Sequence, residues 1–401
     1  MSAILKEYLK DPFLNRMYTE IRDAGSLRSI SVDITNACNL RCAGCYYFSE
    51  KMDLLSSPFE EEEFEAFIAR EKIRGTNFVT VVGGEPTLVL ERLKKIYRSF
   101  WSNVATNGWR KIPYDGFENM PIGVSVWGDH STDTSLRGYG RVSVFARALE
   151  NYQNDPRVFW YYTVAPGNAQ EIETVVEQCV NNGNYVLFNF YGDLANLGGA
   201  LNYKLGFAEV RHEINRMIRR YPERILMTSY LSDVVSTGRL YGERWGHSVC
   251  TSISPDHEAN ADRISNGKPF NAHFRAYNAD LKTTRRCCTA IDRDCESCFD
   301  VWQHFSWIML NLKKHFASKQ EFTRWLTTMY LFYLINRIVD FDSGIQLLPE
   351  IHQRVFVSAG KMPAAHNAGC PPRRMRSKEY TYEHYCSFET GARPGRRAPD
   401  R

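Results

Sequence analysis

From residue 28 to about residue 200 the chain alternates short β-branched or aromatic runs with helical stretches, and no other property limits its fold as tightly. Apolar runs of this length read as strands, and a helix between each pair of runs makes parallel pairing the natural connection. The strand candidates are 28–35, 77–82, 102–106, 122–127, 157–164 and 185–191. The first crossover helix opens at Ser57-Pro-Phe-Glu60, where Ser57 caps, Pro58 suits the first turn and Glu60 completes a capping box. Later crossovers fit Leu88 to Phe100, Val142 to Tyr152 and Asn168 to Asn182, with Gly183 as a stop. The expectation is an α/β fold of six strand-helix units over 28–200, preceded by a helical lead-in over 1–27. In such sheets ligands gather at the carboxyl ends of the strands.

Directly after the first strand stand Cys38, Cys42 and Cys45, spaced C-x3-C-x2-C. A four-iron cubane ligated by only three thiolates keeps one iron open for an exogenous ligand. Structural zinc sites pair their ligands as C-x2–4-C or H-x3–5-H, and no such partner lies near this loop. The chain begins with the charged, amphipathic stretch Met1 to Lys10 rather than an apolar leader, so a reducing, cytoplasmic setting is expected for its 11 cysteines. A second motif follows the second strand, where Asn77 to Val82 runs into Gly83-Gly84-Glu85-Pro86.

The triplet and the turn, each at a strand end and in this order, resemble the radical S-adenosylmethionine (radical SAM) superfamily. The resemblance implies a partial (β/α)6 barrel and a 4Fe-4S cluster whose open iron binds the amino and carboxylate groups of SAM. It places Gly83, Gly84, Glu85 and Pro86 where backbone approaches the methionine amine, a closeness that glycine permits. It further implies reductive cleavage of SAM to a 5′-deoxyadenosyl radical that takes a hydrogen atom from substrate, with a donor such as flavodoxin or ferredoxin. Tyr46 is a candidate to meet the adenine through its backbone, and Asn107 follows the third strand on the same edge. The stretch Val124-Ser-Val-Trp-Gly-Asp-His130 with Leu136-Arg-Gly138 resembles the family's S-x-D-G, H and R-G elements. By that likeness Ser125 and Arg137 contact the ribose or carboxylate of SAM. Two positions depart from the pattern: Trp127 stands where Asp is usual and Gly44 where an aromatic is frequent. Asp129 and His130 read equally well as satisfied loop groups.

Cysteines return as Cys250, Cys287-Cys288 and Cys295-Glu-Ser-Cys298. This array resembles the shortened auxiliary module, called Twitch, of certain radical SAM enzymes. It implies a second 4Fe-4S cluster on Cys250, Cys288 or Cys287, Cys295 and Cys298, with zinc on the same ligands as the alternative. One of Cys287 and Cys288 is then spare and a candidate to give a hydrogen atom to a substrate radical. Cys179, inside a helical stretch, reads as packing, as does the stripe Trp302, Phe305, Ile308, Leu312 and Phe316. The region over 201–345 thus reads as a mainly helical, cysteine-containing C-terminal extension, followed by a tail over 346–401.

Charge argues for no nucleic-acid partner, because the net +4 of the chain is matched by residues 371–401 and leaves the body near neutral. The most apolar stretch, Trp325 to Val339, falls short of the roughly 20 residues of a membrane span. Only about 27 residues precede the first strand, too few for a wing that grips a leader peptide, which favours a small polar metabolite such as a sugar, aminoglycoside or nucleoside. Tyr161, Tyr162, Asn189, Tyr191 and Asp193 would suit it, and oxidation or epimerisation would follow. A peptide-modifying enzyme and a non-catalytic iron-sulfur or zinc protein are the alternatives.

Overall fold

The computed structural model describes residues 3–54, 60–138, 142–192, 206–268, 270–289 and 295–356. Ser57, Pro58, Asp193 and the part of the tail from residue 357 onward lie outside them, whereas the start of the tail forms the helix Leu348–Val355, which is packed rather than loose. Six runs form β1 (Ser29–Asp33), β2 (Phe78–Val82), β3 (Trp101–Thr106), β4 (Ile122–Val126), β5 (Val158–Val164) and β6 (Tyr185–Phe190), each end within two residues of expectation. All are parallel, and each pairs with the next in chain order, which is the topology of the partial barrel. A further strand, Ala276–Tyr277, comes from the C-terminal extension and pairs with β1 in register Ser31 to Ala276 and Val32 to Tyr277. It occupies the edge that β1 would otherwise leave unpaired. Two residues are too few for any sequence pattern to announce.

Side chains alternate across a strand, so register decides which residues share a face. One face carries Val81, Val104, Val124, Trp160 and Phe188, all buried under the crossover helices. The other, inner face carries the partly exposed Thr80, Val82, Ala105, Ser125, Tyr161, Thr163 and Asn189. Toward the amino ends of the strands this inner face is closed by the extension. Trp302 on helix Val301–Leu310 packs on Phe159 and Tyr161, and Asn103 donates to Asn336 Oδ1 at 2.7 Å. The aromatic stripe is therefore core, as its spacing suggested. Helix Lys319–Ile335 also packs against the amino-terminal helix Pro12–Ala24, through Tyr330 to Glu20 at 2.6 Å and Tyr333 to the Gly25 carbonyl at 2.8 Å. Among the described residues no helix is long and apolar enough to cross a membrane.

Two helices differ from expectation. The first crossover helix spans Glu61–Arg74 and is capped by Glu60, whose partner in a capping box is Glu63; it ends at the left-handed Gly75. The second is an unexpected helix, His130–Arg137, in what the sequence presented as a loop. Its sequence has almost no apolar periodicity. It forms because Asp129 caps it, accepting from Ser131 and Thr132 backbone N–H at 2.8 and 2.9 Å, and because Asp133 pairs with Arg137 one turn on.

Burial sets a pH limit on the fold. His304 and His352 are pushed down to about 4 by burial, against an ordinary value near 6.5. A histidine whose folded pKa lies below its unfolded one is stabilising as a neutral ring above pH 6.5, and that contribution fades as pH falls toward 4. Each such residue contributes on the order of 3 kcal/mol of lost stability by pH 4. Urea midpoints should fall steeply between pH 6.5 and 4, and His352→Gln should flatten the decline; an unchanged midpoint across that window refutes the assignment.

Candidate functional site

The cysteine loop leaves β1 at Ile34 and returns to helix at Tyr46, with Cys38, Cys42 and Cys45 half-buried along it. Its partner is the glycine turn after β2. Gly84 N–H donates to the Thr35 carbonyl at 2.9 Å, and Glu85 N–H to the Ala37 carbonyl at 2.8 Å. A Cβ on Gly84 would stand 2.0 Å from the Ala37 oxygen and 3.0 Å from the Cys38 nitrogen, and one on Gly83, at φ +120°, would stand 2.5 Å from the Thr35 oxygen. The close approach that demands glycine is thus to the cysteine loop's own backbone.

Glu85 is buried and saturated. It accepts from Thr87 N–H and Oγ1, from Thr106 Oγ1 at 2.7 Å and from Asn107 N–H at 2.8 Å, knotting the turn to the end of β3. Pro86 starts the short 3-10 helix Pro86–Val89. Asn107 in turn donates to Asn39 Oδ1 at 2.9 Å, reaching the cysteine loop directly.

Beneath the loop lies helix His130–Arg137. Ala43 N–H donates to the Leu136 carbonyl at 2.7 Å. Arg137, 3% exposed, donates to Asp133 at 2.8 Å, the Ser125 carbonyl at 2.7 Å and the Asn107 carbonyl at 3.3 Å. It also lies against Cys42, where its charge opposes the upward push that burial gives that thiol. Burial and the neighbouring Cys42 push Cys45 up to about 11. The guanidinium is therefore occupied as a brace under the loop, and Ser125 contributes its backbone carbonyl to it. Asp129 is a helix cap, and the His130 ring packs on Phe145 with Nδ1 3.2 Å from Ser143 Oγ.

The second cysteine group assembles beside the same edge. Cys250, Cys287, Cys288 and Cys298 lie within electrostatic reach of one another, and Cys295 within reach of Cys250. An antiparallel bridge of Ile253 to Cys287 ties the segments together, and Cys298 N–H donates to the Cys295 carbonyl at 3.1 Å. Burial pushes Cys250 up to about 12 and Cys288 and Cys298 well above the ordinary thiol range. Gln303 Nε2 donates to Cys288 Sγ at 2.9 Å, while Cys287 Sγ sits 3.9 Å from Thr289 Oγ1. Cys179 is fully buried in helix Ile172–Asn181 and packs.

Between the two groups stand Asp300, Asp33 and Arg285, which sequence reading did not single out, together with the expected Tyr46, Tyr161 and Asn189. Asp300 caps helix Val301–Leu310 and accepts from the Tyr161 hydroxyl at 3.2 Å; burial raises its pKa and these donors oppose the rise. Asp33, at the end of β1, pairs with Arg285 at 2.8 Å with both side chains 1% exposed. The Tyr46 hydroxyl, driven up by burial, lies near Arg285, Asp33, Cys45 and Cys288. Asn189 faces the same space and accepts from Val301 N–H at 3.0 Å. Tyr162 and Tyr191 do not face it. Tyr162 points to the outer face under the crossover helices, and Tyr191 is buried against Trp127. Two adjacent tyrosines in one strand cannot share a face, a period-2 signal the sequence already held for Tyr161 and Tyr162.

The donor set suits iron-sulfur chemistry. In a cubane each thiolate meets a different iron, so three cysteines spaced along a loop can ligate it. Leu40 N–H donating to Cys38 Sγ at 3.4 Å is the kind of hydrogen bond that tunes such sulfurs.

The one-way parallel sheet, the cysteine loop at its carboxyl edge and the glycine turn docked on that loop are the arrangement expected of a radical SAM domain, whose cofactors are a 4Fe-4S cluster and SAM. Residues 29–119 match the family model described as a 4Fe-4S single cluster domain. The chain is similar to the sporulation killing factor maturation protein SkfB of Bacillus subtilis (strain 168), with 30% identity over 176 residues, covering 39% of this chain and 41% of that protein. Among solved structures it is similar to Streptococcus suis SuiB bound to precursor peptide SuiA, at 14% identity and a TM-score of 0.39 over 55% of this chain and 54% of SuiB. A second is anSMEcpe with bound AdoMet, at 16% identity and a TM-score of 0.43 over 80% of this chain and 99% of that one. The chain spans about two fifths of the curated relative's length and about half of SuiB's.

Proposed function

We propose that this protein is a radical SAM enzyme that modifies a peptide, with a second 4Fe-4S cluster beside the substrate. The observation that carries the reading is a second cysteine group whose Cys288 and Cys298 lie near Asp300, the acceptor of the Tyr161 hydroxyl, with Cys288 also near Tyr46 beside the first cysteine loop. When bound, the first cluster and SAM supply a radical able to abstract hydrogen. The chain's own part is to hold that pair against the Gly83-Gly84 turn and to keep the inner face dry under helix Val301–Leu310. Thr80, Ser125, Tyr161, Thr163 and Asn189 offer hydroxyl and amide groups toward the substrate.

A peptide is favoured over a small polar metabolite because SkfB is named for maturing a killing factor, and a maturation enzyme's substrate is the factor's precursor. The length of chain ahead of β1 carries no weight against a peptide, since this chain aligns with only part of that relative. Gln303 donating to Cys288 Sγ supports Cys288, with Cys250, Cys295 and Cys298, as the ligand set of the second cluster, because a ligating thiolate accepts an N–H far better than a thiol does. Cys287 is the remaining thiol, beside Thr289. Oxidation through the second cluster and epimerisation through a thiol are both open to this arrangement, and a low-potential flavodoxin or ferredoxin would supply the electron.

The test is anaerobic reconstitution with SAM and dithionite. The unaltered protein should hold about eight irons and form 5′-deoxyadenosine, and the Cys38, Cys42, Cys45 triple alanine variant should keep about four irons and form none. Adding short candidate precursor peptides should raise 5′-deoxyadenosine formation, whereas sugars and nucleosides should not. Stimulation by the small molecules alone would overturn the peptide reading.

A further inference from the structure

The Asp33–Arg285 pair links the two cysteine regions through the interior. Asp33 ends β1, five residues ahead of Cys38, and Arg285 lies two and three residues ahead of Cys287 and Cys288. Arg285 Nη1 donates to Asp33 Oδ2 at 2.8 Å and to the Tyr277 carbonyl at 2.8 Å, and Tyr277 belongs to the strand paired with β1. Arg285 Nε makes no hydrogen bond, and Asp33 Oδ1 has no well-formed one, although the Tyr47 hydroxyl is near enough to favour its charge. Around the guanidinium stand Asp33, Tyr46, Tyr47 and Cys288. Replacing such a pair by apolar side chains would hold a fold at least as well, so two buried charges at this junction call for a reason other than stability.

We propose that this ion pair is a charge lever on the second cluster: Arg285 raises the reduction potential of a cluster held through Cys288, and Asp33 offsets it. The proposal rests on the reading of the second cysteine group as an iron-sulfur site. Reduction adds one negative charge to a cluster, and a cation a few ångströms away in a dry interior stabilises that charge with little screening by salt. A carboxylate opposes it. Net charge and hydrogen bonding near the sulfurs are what spread cluster potentials over their wide range. Arg285 is the member adjacent to Cys288, so it acts directly and Asp33 acts through it.

The experiment uses the full chain with Cys38, Cys42 and Cys45 changed to alanine, reconstituted without oxygen and titrated by EPR-monitored potentiometry. Asp33→Asn should shift the midpoint upward, Arg285→Gln downward, and the double variant should return near the parent value. Arg285→Lys, which keeps the charge, should stay near the parent. A purely structural pair would move both single variants in the same direction or leave both unmoved at full iron content, and either result overturns the lever. Loss of all iron in the triple-alanine background would instead overturn the second cluster itself, and the lever with it.

Discussion

Gly84→Ala should abolish cluster assembly at the first site while leaving most of the fold intact. The added methyl would stand 2.0 Å from the Ala37 oxygen and 2.4 Å from its carbonyl carbon, and both obstacles are backbone. Neither can rotate away as a side chain would. Either the turn lifts, breaking the Gly84 bond to Thr35 and the Glu85 bond to Ala37, or the Ala37–Cys38 peptide moves and takes the first ligand with it. Overpacking of this kind costs about 3 kcal/mol. The larger effect is on chemistry, because displacing a reacting group by about an ångström can lower rate a hundredfold. Iron bound at the first site should fall from about four to near zero, and 5′-deoxyadenosine formation by at least a hundredfold. Gly25→Ala is the matched control: Gly25 has φ +82° with nothing within 4 Å of its absent Cβ, so it should lose stability and keep iron. A Gly84→Ala protein with full iron and normal SAM cleavage would mean that the turn does not set the loop.

What the sequence disclosed followed from how each element is stabilised. Strands buried under crossover helices need an apolar outer face, so β1 to β6 stand out as short runs rich in β-branched and aromatic residues even where the inner face carries Thr80, Ser125, Thr163 or Asn189. The cysteine triplet and the glycine turn were legible because their chemistry forbids other residue types: thiolates for iron, and no Cβ where two backbones meet. Helix His130–Arg137 was not legible, since its stability comes from the Asp129 cap and the Asp133–Arg137 pair rather than from an apolar stripe. The strand Ala276–Tyr277 and the ion pair of Asp33 with Arg285 join residues more than 240 positions apart, and nothing local in either segment encodes the meeting. Asp300 could have been suspected from its place as a helix cap two residues after Cys298. Its contact with Tyr161 could not.

Arg137 carries the other large expectation. Resemblance alone casts it as a contact to SAM, whereas in the structure its donors are taken by Asp133, Ser125 and Asn107, with Cys42 alongside. The two roles predict different losses. A residue that only touched SAM could be removed with little effect on stability. Removing this one would leave Asp133, fully buried, with only the backbone N–H groups of Trp127 and Phe145 for its charge. Stranding a buried charge in this way costs about 3–5 kcal/mol. Arg137→Met should therefore lower the anaerobic urea midpoint sharply and also empty the first cluster site, because helix His130–Arg137 supports the loop at Ala43 and Cys42 together. Arg137→Lys should be intermediate, keeping the charge but losing the fork that reaches several acceptors at once. The double variant Asp133→Asn, Arg137→Gln removes the stranded charge and should recover much of the stability without recovering iron. If Arg137→Met unfolded at the parent midpoint and lost only SAM affinity, the brace would be refuted and the direct contact restored.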